Sequence, residues 1–156
     1  MGVSDWTELD EQLMRAARAE AKSAAAIDEV PVGAVVVKNG EVIGSGFNRC
    51  ILDADPTAHA EVVAIRAAAQ AEQNYRLNGA TIYVTLEPCA MCMGAMIQAR
   101  ISRLVFGAYD EKAGAAGSVL DLADNRRLNH QLEVNGGLQK GECAAALQKF
   151  FESRRD

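Results

Sequence analysis

The sequence predicts a three-layer α/β/α sandwich with a central mixed five-stranded sheet. Three observations lead there. A hairpin signal opens the sheet, strands and helices alternate after it, and 156 residues suit a single core. With 49% apolar and 24% charged residues, the composition is that of an ordinary globular domain, so 1–156 is read as one domain.

The first element is a helix over 7–26, rich in Ala, Glu, Lys and Arg. Leu9, Leu13, Ala16, Ala17 and Ile27 give it an approximate apolar stripe. The β-branched run 32–37 reads as a strand, and Asn39-Gly40 turns it back along 41–48. A polar loop over 49–57 leads to a helix over 59–73, with Asp55 or Thr57 as its cap and Ala64, Ala67, Ala68 and Ala71 suiting its interior. A third strand covers 81–86. Pro88 then opens a helix over 89–99, since proline suits a first turn. Strands over 103–107 and 131–134 complete the sheet. A last helix over 139–153 offers Cys143, Leu147, Phe150 and Phe151 for packing.

A net charge of −5 argues against a generic nucleic-acid binder, whose phosphate contacts draw on Lys and Arg. A local basic patch is still open to it. No apolar run approaches the roughly 18 residues that cross a bilayer. The opening Met1-Gly2-Val3-Ser4-Asp5-Trp6 lacks the basic and apolar regions of a secretory signal. The expectation is a cytoplasmic protein with no membrane partner, in which cysteines stay reduced. Of Cys50, Cys89, Cys92 and Cys143, only Cys89 and Cys92 form a close pair. That spacing suits a metal or redox site better than a disulfide framework.

Two segments carry chemistry, His59-Ala60-Glu61 and Pro88-Cys89-Ala90-Met91-Cys92, each at a predicted helix start. Cysteines three apart on a first turn can aim both sulfurs at one ion, and the positive helix end favours thiolate. Zinc takes thiolate and imidazole, so His59, Cys89 and Cys92 make a three-ligand set. Its open fourth position admits water, the mark of a catalytic site. Glu61 is left off the metal, as a carboxylate that takes a proton from the activated water and returns it. The competing readings are a redox pair, and a structural zinc site closed by Cys50 or Cys143. The first leaves His59 and Glu61 unexplained. His130 reads as a packed or solvated histidine, and Cys143 as a small core residue.

The combination of H-x-E with P-C-x-x-C resembles the signature of zinc-dependent base deaminases. The flanking blocks narrow this. Val30-Pro31-Val32-Gly33-Ala34-Val35, Gly46-Phe47-Asn48-Arg49, Asp55-Pro56-Thr57-Ala58 and Gln73-Asn74-Tyr75-Arg76-Leu77 resemble the bacterial tRNA-specific adenosine deaminase (TadA) family of the cytidine-deaminase-like superfamily. So do Tyr83-Val84-Thr85-Leu86-Glu87, Val105-Phe106-Gly107-Ala108, Gly114-Ala115-Ala116-Gly117-Ser118, Leu128-Asn129-His130 and Glu142-Cys143-Ala144-Ala145. The resemblance spans about 30–155. It implies hydrolytic deamination of the wobble adenosine of an arginine tRNA to inosine, one zinc per subunit, a tRNA anticodon stem-loop as partner, and a homodimer.

By the same resemblance Asn48 hydrogen-bonds the target base and the Ala60 backbone faces it. Asp110 lies near the RNA backbone, and Phe151, Arg154 and Arg155 approach the anticodon loop. Asn48, Asp110 and the Arg154-Arg155 pair each have a plainer alternative: a turn or strand-end asparagine, a solvated loop acid, exposed helix-end cations. Two departures stand out. Cys50 occupies a position where proline is common, and some relatives carry a longer basic tail. Two rival functions remain at this point, a deaminase of free guanine, cytosine or a nucleotide, and a zinc-stabilised RNA-binding module without activity.

Overall fold

Asn39 and Gly40 both adopt positive φ, 52° and 78°, and fold the chain back on itself as the hairpin signal requires. The computed structural model describes residues 5–154. The elements run α1 (Glu8–Ala26), β1 (Gly33–Lys38), β2 (Glu41–Phe47), α2 (Ala60–Glu72), β3 (Thr81–Leu86), α3 (Ala90–Ala99), β4 (Arg103–Ala108), β5 (Glu133–Gly136) and α4 (Lys140–Glu152). The sheet order is β2-β1-β3-β4-β5. β1 is antiparallel to β2 and β3, while β3-β4 and β4-β5 are parallel. The mixed five-stranded sheet is therefore as expected.

Strand alternation builds the three layers. Ala34, Val36, Ile82, Val84, Leu104 and Phe106 face Ala60, Ala64 and Ala68 of α2 and Met93 and Met96 of α3. Val35, Val37, Tyr83 and Val105 point the other way, onto Leu13, Met14 and Ala17 of α1 and Cys143 of α4. Among the described residues no helix is long and apolar enough to cross a membrane.

Four expectations need correction. The fifth strand begins at Glu133, two residues later than expected, after buried Leu132 has anchored the approach. Leu9 and Ile27 lie at the exposed rim of α1, at 44% and 43%, and Met14 completes the stripe instead. Phe151 points outward at 46% exposure while Phe150 is buried. Neither Asp55 nor Thr57 caps α2. Asp55 Oδ1 accepts from the Thr57 N–H and hydroxyl within its own turn, and His59 is the cap residue.

α2 seats against β2 through two glycines. A Cβ on Gly46 would stand 2.8 Å from the Ala60 carbonyl, and one on Gly44 2.5 Å from that of Ala64. Only hydrogen at both positions lets the helix backbone approach so closely. This contact sets the depth of the first turn of α2, and with it His59 and Glu61.

At the other end of the sheet, Thr7 and Asp10 form a capping box that starts α1. Asp10 also accepts from Tyr83 Oη at 2.6 Å and from Arg103 Nη1 at 3.0 Å. Burial alone would raise the Asp10 carboxyl, but bonds from Arg103, Tyr83 and the Thr7 backbone outweigh it and hold it below its ordinary value. A carboxylate depressed in this way contributes stability that is present above the unfolded-chain range and is lost as pH falls through the folded value. Replacing Arg103 by Met leaves Asp10 buried without its cation. The expected loss is about 3 kcal/mol, near the low end for breaking a buried pair because Arg103 is partly exposed. Urea unfolding at neutral pH checks it, and the deficit should narrow in acid.

Candidate active site

Two helix N-termini meet at the site. His59 and Cys89 are the cap residues of α2 and α3, both in extended backbone, and Glu61 and Cys92 lie in the first turns that follow. β3 delivers Cys89 through Glu87-Pro88, and the Gly44-Gly46 seat delivers His59. His59 Nδ1 lies 3.7 Å from Cys89 Sγ and 3.5 Å from Cys92 Sγ. One ligand atom from each of the three lies within 4.8 Å of the others.

This spacing fits zinc. Bonds of about 2.3 Å to sulfur and 2.0 Å to nitrogen, at tetrahedral angles, place N and S roughly 3.5 Å apart. The imidazole and two sulfurs supply a donor set that zinc favours. The electrostatics of Cys89 agree. Hydrogen bonds from Cys92 and then His59 hold the Cys89 thiol far below its ordinary value, so thiolate settles there. The bond to Cys89, then burial, pushes Cys92 upward. Cys50, Cys89, Cys92 and Cys143 form no disulfide with one another.

Glu61 is 4% exposed and feels His59, Cys89 and Cys92 as its electrostatic neighbours. Burial pushes its carboxyl up to about 7. A carboxyl that binds and releases a proton near neutrality suits a proton carrier. Asn48 Oδ1 accepts the Ala60 N–H at 2.8 Å. An N–H can only donate, so this bond fixes the amide's orientation and leaves the Asn48 NH2 as its donor. The bond also satisfies an orphan donor at the start of α2.

The loop between β2 and α2 is tied at several points. Leu52 N–H donates to buried Glu29 at 2.7 Å, Arg49 pairs with Asp53 at 3.0 Å, and the Cys50 carbonyl accepts from Asp55 N–H. His130 lies apart, its Nε2 2.6 Å from the Ile101 carbonyl, and Cys143 is buried against the sheet.

The remaining expected residues are spread out. Asp110 is half-buried just beyond β4, and its Oδ1 accepts from the N–H groups of Lys112 and Ala113. Phe151 and Arg154 sit at the end of α4, on the opposite layer from α2 and α3. Arg154 stacks on Phe150 at 3.8 Å and pairs with Asp28 at 2.7 Å. Arg155 falls outside the described residues. Sequence reasoning assigned no role to Glu87, a 2% exposed carboxylate beside the Pro88-Cys89 turn. Its one sequence signal is a charged residue at the end of an otherwise apolar strand.

Residues 7–108 match the model of the cytidine and deoxycytidylate deaminase zinc-binding region. The tRNA-specific adenosine deaminase of Haemophilus influenzae is 50% identical over 96% of this chain and 87% of its own length. That of Bacillus subtilis is 45% identical over 94% and 91%. A solved structure from work on A-to-I editing by tRNA:A34 deaminases at the wobble position of transfer RNA is 46% identical. It covers 87% of this chain and 99% of its own, with a TM-score of 0.85. The chain belongs to the zinc-binding cytidine and deoxycytidylate deaminase family, in its branch of tRNA-specific adenosine deaminases.

Proposed function

We propose that this enzyme hydrolyses the wobble adenosine in the anticodon of an arginine tRNA to inosine, releasing ammonia. The observation that carries the proposal is the meeting of His59, Cys89 and Cys92 beside the buried acid Glu61. The substrate assignment draws support from relatives named as tRNA-specific adenosine deaminases.

His59, Cys89 and Cys92 would hold one zinc ion, which would supply Lewis-acid activation of the attacking water. Glu61 carries the proton. Its carboxylate takes it from that water, delivers it to a ring nitrogen of adenine, and then assists departure of the amino group as ammonia. One water is consumed, and its oxygen replaces the amino nitrogen on the base. Asn48 orients the base through its NH2 group, and the Ala60 backbone lines the same wall between His59 and Glu61. The target nucleotide must leave the stack to enter, at little cost in an unpaired loop.

Contacts farther out bind RNA without reading the reacting base. Asp110 accepts from a ribose hydroxyl, Phe151 offers an exposed ring, and Arg154 exchanges Asp28 for a phosphate. In this reading the protein works in the cytoplasm as a homodimer, which sedimentation checks. Ammonia release from an arginine anticodon stem-loop is expected, with none from free adenine, adenosine, guanine or cytosine. Release from a free compound alone would keep the hydrolytic chemistry and overturn the RNA substrate.

A further inference from the structure

The Glu87 carboxylate gathers one loop. Oε1 accepts from the Asp110 N–H at 3.0 Å and from the Ser118 hydroxyl. Oε2 accepts from the N–H groups of Ala116 at 3.1 Å and Ser118 at 3.0 Å. A charged acceptor with four donors, buried away from water, is a strong anchor. The chain packs onto it so closely that a Cβ on Gly114 would come within 2.5 Å of Oε2. The same loop is bound to the metal-ligand turn, because Ala115 N–H donates to the Pro88 carbonyl at 2.8 Å and Pro88 precedes Cys89. On its outer side the loop and its flanks expose Tyr109, Val119 and Leu120, each about half exposed.

We propose that Glu87 is a positioning residue. It clasps residues 110–118 against the Pro88-Cys89 turn, so that the loop forms a fixed wall for binding substrate beyond the reacting base. Without the clasp the loop must be ordered at each binding event, which weakens binding and leaves the chemistry intact. Glu87 itself touches neither the metal ligands nor Glu61 through any of these bonds. This inference rests on the RNA reading above, since only a macromolecular substrate reaches the outer wall.

The test uses Glu87→Gln, close in size, which turns one acceptor into a donor facing at least one N–H group, that of Asp110 on the Oε1 side or those of Ala116 and Ser118 on the Oε2 side. Ser118→Ala serves as a milder variant that removes one donor. In E87Q the KM for the stem-loop should rise about tenfold, with kcat within about twofold and zinc content unchanged. S118A should show a smaller rise. Hydrogen exchange on the free protein should show faster exchange at the Asp110, Ala116 and Ser118 amides in E87Q, and no change at Val84 and Phe106.

An unchanged KM with those amides released would sever the loop from binding and overturn the proposal. Loss of zinc or of kcat at constant KM would also overturn it, placing Glu87 in support of the metal site. Should the wild-type protein fail to turn over the stem-loop, the RNA reading fails by itself. The clasp is then decided by exchange: faster at the three amides if it exists, unchanged if it does not.

Discussion

Replacing Glu61 by Ala should lower turnover by about three orders of magnitude while zinc stays bound, as expected when a positioned proton carrier is lost. Glu61 is off the ligand set and is buried beside it, so its removal takes away the proton path and leaves His59, Cys89 and Cys92 in place. Folding should survive, because a buried carboxyl held up near 7 is a group the fold tolerates at a cost. Metal analysis together with single-turnover kinetics separates the two roles. Activity equal to wild type would sink the proton-carrier role, and loss of zinc would move Glu61 into the metal site.

Replacing Cys92 by Ala should remove both zinc and activity. Cys92 is fully buried, 3.5 Å from His59 Nδ1, with no other cysteine among the described residues in reach of the cluster. Zinc bound a thousandfold above its dissociation constant adds about 4 kcal/mol to the folded state. For a domain of this size that corresponds to roughly 10 °C in Tm. A strong chelator should therefore lower the wild-type Tm by about that much. The Tm of C92A should sit near the chelated value and ignore the chelator. Retention of one zinc per chain in C92A would contradict the ligand assignment.

The legible parts of this protein are those governed by short-range pattern. The Asn39-Gly40 turn, the alternating strands and the P-C-x-x-C start of α3 all act within a few residues. His59 and Cys89 are thirty residues apart but each marks a helix start, so the motif alone pairs them. What sequence hid was settled by distant partners. Glu87 binds groups 23 to 31 residues away, and nothing local identifies them. Asn48 was read as a base contact, but its oxygen also serves the Ala60 amide across a loop. Asp55 and Thr57 carried cap chemistry that their own turn absorbed. In α4 two adjacent phenylalanines satisfied the helical stripe equally well. Only packing against the neighbouring layer buried Phe150 and turned Phe151 outward.

Inosine mapping in a full-length arginine tRNA, after incubation with the zinc-loaded protein, tests the wobble-deaminase function itself. Conversion is expected at the wobble adenosine and at no other adenosine, abolished in E61A. Conversion elsewhere, or an unchanged tRNA alongside deamination of a free base, would contradict it.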